Sequence, residues 1–108
     1  MNLDTYQQLA ARTMSPGQTA EQRLANAALG LTGEAGEVAE HVKKHLFHAT
    51  PLDHDAVVKE LGDCLWYLAA LATALEVSLA EVGARNIEKL RRRYPEGFST
   101  ERSRNRVE

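Results

Sequence analysis

Two short acidic motifs hold the residue types best suited to chemistry in this 108-residue sequence. The first motif contains Glu34 and Glu37, and the second contains Glu60 and Asp63, so each places two carboxylates three residues apart. Positions i and i+3 of a helix are surface neighbours, which lets each pair act as one two-pronged oxygen ligand. Four carboxylates at one place repel one another unless a cation lies between them, and hard ions such as Mg²⁺ prefer oxygen ligands.

Apolar residues around each motif predict two long amphipathic helices, because their spacings alternate between three and four. The line in the first helix is Leu24, Ala28, Leu31, Ala35, Val38 and Val42. The line in the second helix is Val57, Leu61, Cys64, Leu68, Leu71 and Leu75. Each acid precedes a member of its line by one residue, so all four are rotated by about 100° to the same side. If the two lines pack together in an antiparallel hairpin, the four carboxylates converge along one edge.

Glycines accompany the acids, and each of them costs a helix about 1 kcal/mol relative to alanine. They are Gly30, Gly33, Gly36 and Gly62. Carboxylates that only face water do not need glycine neighbours, so we expect another helix or a ligand to approach closely here.

The remaining pattern predicts an all-α fold, a bundle of four to five helices completed by oligomerisation. Ser15-Pro16-Gly17 separates the first helix from the second, while Thr19 and Ser78 are expected to cap helices. We predict one domain over residues 1–98 and a polar C-terminal tail over 99–108. The expected helices are 3–13, 19–46, 55–76 and 79–94.

Composition narrows the class of protein. The apolar content of 44%, the charged content of 26% and the net charge of −2 are those of an ordinary globular protein, so nucleic acid is not an expected partner. A single cysteine excludes an intrachain disulfide and a cysteine-based zinc site. The sequence shows neither a signal segment nor a membrane-length apolar run, so we expect a soluble cytoplasmic protein with no membrane partner.

Other side chains leave two interpretations open. His41 and His45 are four residues apart and could hold a transition metal, although no third soft ligand is evident. Trp66 and Tyr67 either fill the core or an interface, or contact a base and phosphates. Lys44 either faces solvent or contacts a phosphate, because it shares a broad flank of the helix with the first acidic motif.

Acids on helices with Asn and Lys nearby suit a metal-bound polyphosphate, in which Mg²⁺ bridges carboxylates and phosphates. A di-metal carboxylate bundle is the competing metal site, but that architecture uses Glu-x-x-His pairs, which this sequence lacks. A non-enzymatic helical interaction module is the third possibility. It explains the apolar lines and leaves the glycines and matched acids without a role.

Segments 29–38 (LGLTGEAGEV) and 59–68 (KELGDCLWYL) resemble the MazG-like nucleotide pyrophosphohydrolases, members of the all-α NTP pyrophosphatase superfamily. The family pattern is Glu-x-x-Glu, a spacer, and then Glu-x-x-Asp. Segments 86–90 (NIEKL) and 93–98 (RYPEGF) are similar to the family's fourth helix and its exit. The resemblance spans roughly residues 5 to 106.

This resemblance implies an enzyme that hydrolyses a (d)NTP to the (d)NMP and pyrophosphate. It implies that Mg²⁺, with Mn²⁺ as an alternative, is bound by Glu34, Glu37, Glu60 and Asp63. One of these acids, Glu37 or Glu34, would orient or deprotonate the attacking water. The phosphate contacts would include Tyr67, Asn86 and Lys89, and the base pocket would use Trp66 and residues around Asn26. The family also implies a homodimer or homotetramer.

Overall fold

Helices occupy most of the chain in the computed structural model, which describes residues 1–106 and contains no strand within that range. The five helices are α1 (Leu3–Ala11), α2 (Ala20–Phe47), α3 (His54–Ala74), α4 (Leu79–Arg93) and α5 (Thr100–Arg104). The all-α prediction is therefore confirmed, and the four long helices begin and end within a few residues of the predicted bounds. Helix α5 lies inside the predicted polar tail, of which Val107 and Glu108 are outside the described residues.

Side-chain caps explain where the helices begin. The Thr19 hydroxyl accepts a hydrogen bond from the Gln22 amide at 3.1 Å, and the Gln22 side chain accepts one from the Thr19 amide at 2.9 Å. This reciprocal capping box satisfies two amides that have no partner inside the helix. Ser78 accepts from the Glu81 amide at 3.0 Å, and Ser99 starts α5 in the same way. Both caps expected from the sequence are present.

Helix α3 is the centre of the arrangement. It forms a hairpin with α2, its most extensive neighbour, and it also contacts α1 and α4. Gln7 on α1 fastens the turn between α3 and α4: its side-chain amide donates to the Val77 carbonyl at 3.0 Å, and its side-chain oxygen accepts from the Leu79 amide at 2.7 Å. The core beside this turn is small, and its buried members are Ala10, Ala69, Ala72 and Leu79.

The packing of the α2–α3 hairpin differs from the prediction. The less exposed positions of α2 include Ala27, Leu31, Glu34, Val38 and His41. Those of α3 include Val57, Glu60, Cys64, Tyr67 and Leu71. The contact face is thus rotated toward the acids, so that Glu34 and Glu60 lie on it instead of flanking it. Hydrophobic spacing locates an apolar stripe but does not tell which neighbour covers it, and α3 has three neighbours in its own chain.

Part of the predicted α3 line consequently faces outward. Leu61, Leu68 and Leu75 are 53%, 42% and 60% exposed. We call these three residues the outer stripe. Their spacing of seven residues places them on one side of α3, about 10 Å apart from one to the next.

The chain exposes far more surface than a compact monomer would. Its accessible surface is 8012 Å², whereas a compact monomer of 11.9 kDa exposes about 6,000 Å². Its radius of gyration is 16.9 Å, against about 13 Å for a compact domain of this length. The large apolar side chains that are more than half exposed are Met1, Leu29, Leu46, Phe47, Val58, Leu61, Leu75 and Phe98.

Within residues 1–106, no single helix is long and apolar enough to cross a bilayer. Helices α3 and α4 reach that length and composition only as a pair, and they are bent by 98° at the break between them.

Candidate metal centre

Three carboxylates from two helices converge at one place. Glu34 of α2 and Glu60 and Asp63 of α3 each offer an oxygen, and these oxygens all lie within 4.8 Å of one another. Two ligands on opposite sides of a Mg²⁺ ion are about 4.2 Å apart, because each bond is 2.0–2.1 Å long. The group therefore needs little adjustment to surround one ion. Within residues 1–106 it is the one group of at least three acidic, histidine or cysteine side chains with such spacing.

The convergence follows from an antiparallel register between α2 and α3. Gly30 lies against the Tyr67 ring, Glu34 meets Asp63 and Glu60, and His41 reaches Glu60. Residues later in α2 therefore contact residues earlier in α3, as an antiparallel pair requires. The sequence prediction that acids from the two motifs meet across such a hairpin is confirmed for these three.

The electrostatics of the group oppose its full ionisation in the absence of a cation. The pKa of the Glu34 carboxyl is raised above its ordinary value, first by a hydrogen bond with Glu60 and then by partial burial. The negative charges of Asp63, Glu60 and Glu37 raise the same pKa further. A divalent ion would remove this repulsion, so the group is suited to bind one.

Glu37, the fourth acid of the motifs, lies outside the group of three. Its side chain is exposed, and it is close enough for its charge to influence Glu34. Three residues along a helix correspond to a rotation of about 300°, so Glu37 points some 60° away from Glu34. Its role as a ligand or base stays a prediction.

An open cavity of about 350 Å³ adjoins the acids. It is lined by Thr13, Glu34, Asp63, Trp66 and Tyr67. The Trp66 and Tyr67 rings meet edge to face with centroids 5.0 Å apart. The Trp66 indole N–H donates to the Thr13 hydroxyl at 2.7 Å, and that hydroxyl donates to the Ala10 carbonyl at 2.7 Å. The end of α1 is thereby joined to α3 as one wall of the cavity.

Glycine serves a packing purpose at one position of this hairpin. A Cβ atom at Gly30 would overlap the ring of Tyr67, whereas one at Gly33, Gly36 or Gly62 would meet nothing within 4 Å. The expectation of a close helix approach is therefore confirmed at Gly30. The open space at the other three glycines lies on faces that no described residue covers.

We expect Gly30→Ala to lower the free energy of unfolding by about 1–3 kcal/mol, because the added methyl group must displace Tyr67. Gly33→Ala is the matched control, since its methyl group is unobstructed and alanine favours the helix by about 1 kcal/mol. Thermal unfolding monitored by circular dichroism measures both. Equal stability of the two variants would contradict the packing role of Gly30.

Three residues expected near phosphates do not line the cavity. Lys44 is exposed and its ammonium lies 4.0 Å from Glu40. Asn86 and Lys89 belong to α4, which contacts α1 and α3 and whose principal contacts do not include α2. Tyr67 and Trp66, by contrast, lie in the cavity wall, and their contacts with phosphate and base stay predictions.

Sequence reasoning overlooked two residues near the centre. Thr13 lines the cavity, but no periodic signal connects it to a tryptophan 53 positions away. His41 was considered only with His45, yet its Nε2 lies 3.8 Å from Glu60, while His45 Nδ1 is 2.9 Å from the Thr50 carbonyl. Its spacing of seven residues from Glu34 places both on one helix face, and this signal could have identified it.

Comparison with known proteins shows which family the chain resembles over most of its length. The family described as "MazG nucleotide pyrophosphohydrolase domain" matches residues 22–98. The chain is also similar to "Gene 37 protein" of Mycobacterium phage L5, with 40% identity over 105 residues that cover 90% of this chain and 92% of the phage protein. No solved structure matches it significantly. The matched segment contains both acidic motifs and most of the helical bundle, and the chain therefore belongs to the MazG nucleotide pyrophosphohydrolase family.

Proposed function

We propose that the protein is a Mg²⁺-dependent nucleoside triphosphate pyrophosphohydrolase that converts a (d)NTP and water to a (d)NMP and pyrophosphate. The observation that carries this proposal is the convergence of Glu34, Glu60 and Asp63 beside a cavity large enough for part of a nucleotide. Membership of the family supports the same activity. Mn²⁺ is the alternative ion, because it also accepts carboxylate oxygens.

The three converging acids would hold the ion through their oxygens. A bound divalent ion lowers the pKa of water and neutralises the charge that develops during phosphoryl or nucleotidyl transfer. Glu37 is then available as the base, because its exposed carboxylate lies one turn along α2 and outside the group of three. It would accept the proton of the attacking water as the α–β anhydride bond breaks and pyrophosphate leaves. Glu34 is the second candidate for this base.

The aromatic wall of the cavity would hold the rest of the nucleotide. The Tyr67 hydroxyl would donate to a phosphate oxygen, and the Trp66 ring would offer a face or edge to the base, because both residues line the cavity. Phosphates extending from the cavity would be met by Asn86 and Lys89, which the resemblance implies, and by Lys44, which the shared helix flank suggests. These three lie outside the cavity of the single chain, so their contacts depend on the bound substrate or a second copy.

A second, smaller cavity that Trp66 also lines bears on base selection. Its lining includes Met14, Arg23 and Asn26, and its volume is about 30 Å³. This volume holds one or two water molecules and no nucleobase. We therefore propose that the base occupies the larger cavity and that the region around Asn26 supports Trp66 from behind.

We further propose that the active form is a homodimer or homotetramer. The excess of about 2,000 Å² over a compact monomer matches the area that one subunit buries in an obligate assembly. The outer stripe of Leu61, Leu68 and Leu75 provides an apolar surface of the kind found in such interfaces.

Leu68→Glu should disrupt this assembly, because it introduces a charge at the centre of the outer stripe. We expect the molar mass in solution, measured by light scattering after size-exclusion chromatography, to fall to a smaller species. A wild-type protein that is monomeric, or a variant with the wild-type mass, would refute the assignment of the stripe.

A panel of NTPs and dNTPs with Mg²⁺ tests the enzymatic activity. Pyrophosphate and the nucleoside monophosphate should appear in equal amounts, and chelation of the metal should stop the reaction. Orthophosphate as the main product would assign the chain to another hydrolase class. No metal-dependent turnover of any nucleotide would favour the interaction-module hypothesis.

A further inference from the structure

His41 contacts the acidic group, and the proposed mechanism gives this contact no role. Its Nε2 lies 3.8 Å from Glu60 Oε1, and the two side chains are only 30% and 21% exposed. Glu60 also lies beside Glu34, which is seven residues before His41 on the same helix, with carboxylate oxygens within 4.8 Å of each other. The Glu60 carboxyl group therefore lies between two partners from α2.

The position of His41 differs from that of a ligand. The oxygens of Glu34, Glu60 and Asp63 lie within 4.8 Å of one another, and His41 is not a member of that group. It touches the group through Glu60 alone. Residues placed in this way orient a metal ligand and do not bind the ion themselves.

We propose that His41 is a positioning residue that fixes the rotamer of Glu60, so that one carboxylate oxygen is retained toward α2 and the other faces the ion. This inference rests on the proposed metal centre. At 3.8 Å the pair is longer than a hydrogen bond, and an imidazole N–H directed at the carboxylate oxygen attracts it electrostatically. Without the His41 contact, the Glu60 side chain loses its restraint on the side opposite Glu34. Metal binding must then also order that side chain, and the entropy cost of this ordering lowers the metal affinity.

Mn²⁺ binding to the protein without nucleotide tests the proposal, measured by the loss of the electron paramagnetic resonance signal of free Mn²⁺. We expect His41→Ala to weaken Mn²⁺ binding by about tenfold, the lower end of the range for residues that orient ligands. His41→Gln should restore most of this affinity, because its amide can donate toward the same oxygen. His45→Ala is the matched control one turn along α2, where the ring contacts the Thr50 carbonyl instead.

Nucleotide hydrolysis provides the second measurement. With His41→Ala, the metal concentration at half-maximal rate should rise about tenfold, while kcat at saturating metal stays within about twofold of the wild type. Unchanged Mn²⁺ affinity in His41→Ala, or an equal loss in His45→Ala, would overturn the proposal. A wild type that binds Mn²⁺ but hydrolyses no nucleotide would overturn the proposed function alone, since the affinity comparison still decides the role of His41.

Discussion

Asp63→Asn is expected to abolish pyrophosphate release while leaving the protein helical and oligomeric. Asp63 supplies one of the three converging oxygens and lines the cavity, so in the proposed mechanism its charge binds the ion and places it beside the substrate. The exchange keeps the size of the side chain and changes one exposed atom, which leaves the packing intact. A metal ion contributes several kcal/mol to the transition state, so we expect turnover to fall by about 1,000-fold or more.

Asp55→Asn is the matched control for this prediction. Asp55 lies on the same helix, is exposed, and its carboxylate is 3.7 Å from the equally exposed His54. We expect it to retain the wild-type rate. Near-normal turnover by Asp63→Asn would show that the metal assignment is wrong.

Glu37→Gln extends the test to the acid outside the group of three, and we expect it to abolish turnover as well. Because we propose Glu37 as the base, it should lose activity without losing Mn²⁺ affinity. A parallel loss of affinity would instead make Glu37 a ligand.

Glu34→Gln is expected to change stability in opposite directions with and without metal. The folded-state pKa of Glu34 is raised above its unfolded value, so the folded protein holds this proton more tightly. The resulting stability is fully present below about pH 4.5 and is lost as the pH rises through the folded value. Metal-free wild type should therefore lose stability over this range, and Glu34→Gln should lose less and melt at a higher temperature near pH 7.

Mg²⁺ should reverse the order of the two melting temperatures, so that the wild type melts above Glu34→Gln. An ion at 100 times its Kd stabilises the folded state by about 2.7 kcal/mol, which corresponds to a rise in Tm on the order of 10 °C for a domain of this size. Glu34→Gln should lose most of this rise, because one of three ligands is missing. Thermal melts at about pH 5 and pH 7, each with a chelator and with Mg²⁺, measure all four states. If metal-free Glu34→Gln melts at a lower temperature than the metal-free wild type near pH 7, the inferred charge repulsion between Glu34 and the neighbouring carboxylates is contradicted.

Local rules account for most of what the sequence predicted about the fold. Thr19 and Ser78 initiate helices where their capping patterns indicated, since a cap depends only on residues three positions apart. The convergence of Glu34 with Glu60 and Asp63 was also accessible, because two motifs equidistant from one turn must meet in a hairpin. Both inferences use short-range geometry alone.

The partners of each apolar surface could not be predicted from spacing. Leu61, Leu68 and Leu75 satisfy the same periodicity as a packed line, yet they face outward, because the contact with α2 is formed by Glu60 and Tyr67 on an adjoining side. An apolar stripe that is covered by a second protein chain has the same residue spacing as a stripe that is buried within its own chain.

Long-range contacts were equally inaccessible. The hydrogen bond from Trp66 to Thr13 joins positions 53 apart. Such choices depend on how α1 and α4 dock on α3, which no local pattern specifies.

The hydrogen bond between Trp66 and Thr13 gives the molecule an optical reporter of its own. The chain has one tryptophan, so all of its intrinsic indole fluorescence comes from a ring in the wall of the cavity. The emission wavelength of an indole responds to the polarity around its N–H, and the intensity responds to a base stacked against the ring. The proposed entry of nucleotide and of metal can thus be tested in the unlabelled protein by stopped-flow mixing, with no coupling enzyme and no turnover.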